Sequence, residues 1–161
     1  MAQAIRAMLS VTILAPLVMV AGAGSAGSAN EPEFCQARDA DSVKAPVIGP
    51  SVKGISVALQ AKRISRGQNL YGRPLNNGDD SANYGPVYRI ERYNGSGWEV
   101  DPSSPDGPWV KRSWALAPDR AGRCFRFSVP PDQPAGVYRL VIPVTVETVR
   151  AARTAVFRIE G

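Results

Sequence analysis

A run near the C-terminal end, Pro131-Asp132-Gln133-Pro134-Ala135-Gly136-Val137-Tyr138-Arg139-Leu140-Val141-Ile142, restricts the fold more than any other part of the chain. Turn-forming residues lead into Gly136, and an alternating strand pattern starts there. Tyr138 stands two positions past the glycine, on the apolar side of that alternation. A tyrosine at the entrance of such a strand sends its ring into the core between two sheets. Its hydroxyl then bonds backbone a few residues upstream, the arrangement called a tyrosine corner. Gly136 and Tyr138 therefore predict a two-sheet β-sandwich. They predict no chemistry.

The rest of the chain agrees in rhythm. Short alternating runs recur about every ten residues, separated by turn residues, as sandwiches require. Ile55, Val57 and Leu59 alternate as a first strand. The stretch 69–76 is a weak candidate, because Gly72 and Pro74 interrupt it. Proline donates nothing to a ladder, so the expectation is an edge, bulged or broken strand. Residues 76–81 read as a polar loop. A strand over 87–93 places Tyr88 and Ile90 on one face, Arg89 and Glu91 on the other. Asn94-Gly95-Ser96-Gly97 is a hairpin turn suited to positive φ, returning through Trp98-Glu99-Val100. Residues 101–108 form a Pro-rich loop, 109–116 a short strand, and 117–122 a turn into the strand holding Cys124. The strongest strand, 137–146, turns Tyr138, Leu140, Ile142, Val144 and Val146 to one side. Within 146–153 the pattern would also suit one helical turn, and Ala155, Phe157 and Ile159 close the chain as a last strand. The fold class is all-β: an immunoglobulin-like β-sandwich of about seven to eight antiparallel strands.

Residues 1–29 have the layout of a secretory signal: Arg6, an apolar stretch from Met8 to Val20, then a run of small residues. The apolar stretch is shorter than the about 20 residues of a spanning helix and is interrupted by Pro16. Cleavage is expected, and no other segment could span a membrane. The mature chain divides into an extended lead-in, 30–51, and one sandwich domain, 52–161. Removing Arg6 from the 19 Lys and Arg leaves 18 against 14 Asp and Glu, a charge near +4 carried mostly by arginine. Such a balance suits anionic partners without naming one. In an exported chain, Cys35 and Cys124 are expected to form one disulfide. Because Phe125, Phe127 and Val129 take the apolar face, Cys124 points away from the core. The bond should strap the N-terminal segment across the outside or edge of the sandwich. The chain has no histidine, which removes the commonest general base and histidine-containing zinc sites.

Several short motifs fall in a suggestive order: Tyr88-Arg89-Ile90-Glu91, Gly97-Trp98-Glu99-Val100, Leu116-Ala117-Pro118, Ala135-Gly136-Val137-Tyr138-Arg139-Leu140, and Ala155-Val156-Phe157-Arg158-Ile159. Over 52–160 this resembles the bacterial immunoglobulin-like domains of exported and membrane-associated proteins of uncertain function. The resemblance implies the sandwich and brings no catalytic residues. Its second strand is usually a good β-former, and residues 70–76 depart from that.

Two surface features are candidates for partner binding. Arg89, Arg139 and Arg158 fall on the outer face of neighbouring strands and could dock an acidic partner. Glu91 and Glu160 share that face, so cross-strand ion pairing is the favoured explanation of them. Trp109 and Trp114 flank basic residues beside the Pro-rich loop, although their spacing puts them on opposite strand faces. Asn76-Asn77-Gly78-Asp79-Asp80 lacks EF-hand spacing and reads as a solvated turn rather than a calcium site. A carboxylate-dependent hydrolase would need two converging acids, and Asp101, Asp106, Asp119 and Asp132 all lie in separate turns. The functional expectation is an exported, non-catalytic module that uses no cofactor or metal and binds a protein or an anionic cell-envelope component, not nucleic acid. A purely structural or accessory domain is the alternative.

Overall fold

A computed structural model describes residues 31–105 and 112–161. The predicted leader, Asn30, Asp106, Trp109 and Lys111 lie outside the described residues. Within them the chain forms a one-turn helix, Glu33–Gln36 (α1), a 3-10 turn at Ala40–Ser42, and these strands: Val47–Ile48 (β1), Ile55–Leu59 (β2), Arg63–Ser65 (β3), Asn69–Asn76 (β4), Ala82–Tyr84 (β5), Arg89–Tyr93 (β6), Trp98–Val100 (β7), Trp114–Leu116 (β8), Arg120–Ala121 (β9), Phe125–Ser128 (β10), Gly136–Val146 (β11) and Val149–Glu160 (β12). One sheet runs β1-β2-β4-β10, with β9 also on β4; the other runs β3-β12-β11-β5-β8, with β6 also on β11 and β7 on the far side of β6. The two sheets pack as an all-β sandwich.

The predicted apolar faces meet between the sheets. Ile55, Val57 and Leu59 from β2, Phe125 and Phe127 from β10, and Tyr138, Leu140, Ile142, Val144 and Val146 from β11 are all buried, with Ala155, Phe157 and Ile159 from β12. Each large apolar side chain among them, fully buried, contributes roughly 1.5–3 kcal/mol of transfer free energy. The ring of Tyr138 stacks on Phe157 with centroids 5.8 Å apart. Gly72 lies where the sheets approach closely: a Cβ there would stand 2.3 Å from Leu140 Cδ2 and 2.9 Å from Leu59 Cδ2.

Several expectations are corrected. The strand count exceeds seven or eight, because β1, β3, β5, β7, β8 and β9 are ladders of two or three residues, too short to show a period. The sandwich is not wholly antiparallel: β3 pairs parallel to β12, Ile64 opposite Ile159. The chain leaves β2 in one sheet and crosses directly into the other, so no hairpin reverses it. Residues 69–76 are no edge or broken strand; β4 is interior, flanked by β2 on one side and by β9 and β10 on the other. Nor is 146–153 helical. β11 and β12 pair without a break from Val146 opposite Val149 to Gly136 opposite Ile159, around a turn in which Glu147 takes φ 53°. Pairing with a complete neighbouring strand overrides the helical preference of Ala151, Ala152 and Arg153. The lead-in is only partly extended, since it carries α1 and the 3-10 turn.

Candidate functional site: an arginine-lined cleft over the disulfide

How β4 accommodates Pro74 explains the site. Leu75 lies opposite Ala121, but Gly72 lies opposite Phe125, so the β9–β10 side carries one residue more than β4. That is a β-bulge at residues 122–124. The Pro74 carbonyl accepts the Gly122 N–H at 2.8 Å, and proline has no N–H to return. The Gly122 carbonyl is served instead by Arg73, whose Nε donates to it at 2.8 Å. A side chain thus supplies the ladder bond that Pro74 withholds. Arg73 is only 3% exposed, and its Nη1 donates to the Phe34 carbonyl at 2.8 Å. Gly122 itself admits no side chain, since a Cβ would lie 2.6 Å from Pro74 Cγ and 2.7 Å from the Tyr84 hydroxyl.

The bulge presents Cys124 to Cys35, and the two form the disulfide. It lies outside the main core, as its strand pattern required. Around it, Phe34, Ala40 and Val43 bury themselves against Ala58 and Leu75, making a second, smaller apolar cluster on the outer face of the β2–β4 sheet. Backbone bonds hold the strap to β9: Ala121 N–H to the Arg38 carbonyl at 2.8 Å, and Ala40 N–H to the Asp119 carbonyl at 2.9 Å. Asp39 lies in antiparallel register with Arg120, and its carboxylate accepts Arg120 Nη1 at 2.6 Å.

Between strap and bulge opens a cleft of about 570 Å³, lined by Glu31, Arg38, Arg73, Trp114, Arg120 and Arg123 together with both disulfide cysteines. The Arg123 guanidinium lies 4.9 Å from the Trp114 ring centroid, and Trp114 meets Tyr84 edge-on at 5.4 Å. The Tyr84 hydroxyl accepts the Arg123 N–H at 2.6 Å, and burial raises its pKa from the ordinary value. Burial lowers the pKa of Arg73, opposed by the fields of Tyr84 and Glu31. Among the described residues no carboxylate forms an ion pair with Arg73, Arg38 or Arg123. Four guanidinium groups set against Glu31 and Asp39 leave two positive charges in excess.

The residues singled out from sequence are distributed differently. Trp114 lines the cleft; Trp109 lies outside the described residues. Arg139 and Arg89 converge on Glu91, whose side chain is 7% exposed: Arg139 Nε donates to it at 2.7 Å and Arg89 Nη2 at 3.0 Å. Arg139 also covers the Trp98 ring at 4.5 Å. Those two arginines neutralise a buried acid and hold an aromatic ring. Arg158 is exposed on the same face but outside that cluster, and Glu160 pairs with Arg63 at 3.1 Å instead. Gly136 begins β11, and the Tyr138 hydroxyl donates to the Pro134 carbonyl at 2.6 Å. Asn76, expected in the polar loop, ends β4 and is wholly buried; its amide donates to the Asp80 and Leu116 carbonyls and its oxygen accepts the Gly78 N–H. Sequence reasoning missed Arg38, Arg73, Arg120 and Arg123. A signal was present: Arg38 follows Cys35 by three, and Arg120 and Arg123 precede Cys124. Joining the cysteines gathers their basic neighbours.

Fold and site together define an all-β sandwich that carries a disulfide-framed basic cleft. No family model matches the chain, and no curated protein matches it. Among solved structures it is similar to Spo0M, the sporulation control protein from Bacillus subtilis, at 13% identity and a TM-score of 0.44, over 66% of this chain and 49% of that one. The chain thus spans about half the length of that protein. No helix among the described residues is long and apolar enough to cross a membrane.

Proposed function

We propose that this chain is an exported, non-catalytic immunoglobulin-like module that binds an anionic protein or cell-envelope component in the arginine-lined cleft. One observation carries the reading. Arg73 is a buried cation with only neutral acceptors, beside an open cleft where Arg38 and Arg123 also lack acidic partners among the described residues. Desolvated, uncompensated charge of one sign attracts the opposite charge, and guanidinium forks suit carboxylate and phosphate oxygens. Export is supported by the signal-like residues 1–29 and by the disulfide. A non-catalytic role is supported by the lack of histidine and by Asp101, which is buried in hydrogen bonds around the tyrosine corner rather than facing a second acid. The test is a titration with polyglutamate, polyphosphate and polygalacturonate at low and high salt. The proposal expects binding that weakens by about tenfold or more from about 20 to about 500 mM NaCl. Absent or salt-independent binding would overturn it in favour of an accessory domain.

A further inference from the structure

Anion binding specifies a charge; the walls of the cleft specify a chemistry. Building on the proposed anion-binding role, we infer that the cleft takes a short, extended acidic peptide, about four residues long and bearing two carboxylates. Three features lead there. The cleft measures about 570 Å³, far more than a lone oxyanion fills and within the usual range for sites that enclose a small ligand. Its excess of two positive charges is balanced by a ligand with two negative ones. Finally, the anions that these arginines already face are carboxylates carried on peptide. Asp39 is extended at φ −94° and ψ 143°, in antiparallel register with Arg120 and ion-paired to it, and the field of Glu31 acts on Arg73. The chain's own strap is an acidic peptide docked on one side of the arginine group. Arg38 and Arg123 line the same cleft and form no ion pair with a carboxylate among the described residues.

The arginines have separate tasks. Nε and Nη1 of Arg73 are engaged by the Gly122 and Phe34 carbonyls, so it supplies a fixed charge at the floor and not an open fork. Arg123 is held against the Trp114 ring, which orients its guanidinium without using its N–H donors. Arg38 is exposed at the rim. Arg123 and Arg38 are therefore the two forks for two carboxylates, and Glu31 is a resident negative charge that the ligand must oppose.

The test is calorimetry on the disulfide-bonded protein. The probes are a blocked Gly-Asp-Ser-Asp-Gly peptide, its Asn-for-Asp counterpart, tripolyphosphate and trigalacturonate. In this peptide alternate residues place both carboxylates on one side of an extended chain. The acidic peptide should bind and the amide peptide should not. Arg123→Gln and Arg38→Gln should each weaken binding by about tenfold, as expected for loss of one charge-assisted pair. Glu31→Gln should tighten it about threefold by removing a like charge, and Lys62→Gln, which does not line the cleft, should leave it unchanged. Arg38, Arg123 and Glu31 are exposed, and circular dichroism checks that the variants fold. If tripolyphosphate or trigalacturonate binds with Arg123 dependence while the peptide does not, the peptide inference fails and the anionic cleft stands. Peptide binding indifferent to both Arg38 and Arg123 also overturns the inference. If no probe binds, both readings fall.

Discussion

Replacing Tyr138 by Phe isolates the hydroxyl of the corner while keeping the ring that stacks on Phe157. That hydroxyl donates to the Pro134 carbonyl at 2.6 Å and accepts from Gln133 Nε2 at 3.1 Å; Gln133 Nε2 also donates to Asp101 Oδ1 at 3.0 Å. Tyr138 is fully buried and Gln133 nearly so, whereas Pro134 is exposed and its carbonyl can turn to water. Losing one hydrogen bond to a partly wet carbonyl and one to a buried amide should therefore cost about 1.5–2.5 kcal/mol. For a domain of this size that lowers Tm by roughly 5–10 °C. Urea unfolding followed by tryptophan fluorescence measures the loss, with the m-value unchanged if only the corner is affected. A double-mutant cycle with Gln133→Leu should show a coupling of about 1 kcal/mol, since both residues belong to one network. A loss under about 0.5 kcal/mol, or strict additivity of the two changes, would refute the idea that the hydroxyl specifies the corner.

Other expectations concern the strap, the bulge, the buried acid and the sheet interface. Changing Cys35 and Cys124 together to Ser opens a cross-link spanning 89 residues, whose chain entropy is worth about 4–5 kcal/mol; thermal unfolding with and without the bond measures it. Arg73→Leu should cost about 2–4 kcal/mol by leaving the Gly122 and Phe34 carbonyls unserved, and adding Pro74→Val should recover about 1 kcal/mol by restoring a ladder N–H; urea unfolding of the single and double variants compares them. Burial alone would raise the pKa of Asp101, but bonds from the Ser103 hydroxyl, Gln133 and the Ser103 N–H, with the field of Arg92, bring it below the ordinary value. Its contribution is therefore fully present above about pH 4, the unfolded value, and is lost as pH falls below that. Acid titration of stability should show this loss in wild type and not in Asp101→Asn. Gly72→Ala should cost about 1–3 kcal/mol in chemical denaturation, because its methyl would overlap Leu140 and Leu59.

Local period and turn chemistry made the central strands legible, since the buried faces of β2, β10, β11 and β12 repeat every second residue. The disulfide was legible from cysteine count and from the outward side of Cys124. What escaped depends on contacts distant in sequence. Pro74 reads as a break in β4 because Arg73 meets the Gly122 carbonyl across 49 residues, and no local window contains that compensation. The alternation of β6 and β11 puts Arg89 and Arg139 on the outer face, yet only the fold shows both closing on Glu91. The cleft was hidden for a similar reason. Its walls come from residues 31, 35–38, 73, 114 and 120–124, and only the disulfide and the bulge bring them together.

The parallel pairing of β3 with β12 bears on how the chain reaches this structure. β12 lies between β11 and β3 and packs against β2 across the sandwich, so contacts of very long sequence separation meet on the last strand. Contact order of this kind slows folding, because loops must close before their contacts are gained. Until residues 149–160 arrive, β3 lacks its partner and β11 lacks one complete neighbour. A chain emerging N-terminus first therefore holds no finished sandwich until β12 is made.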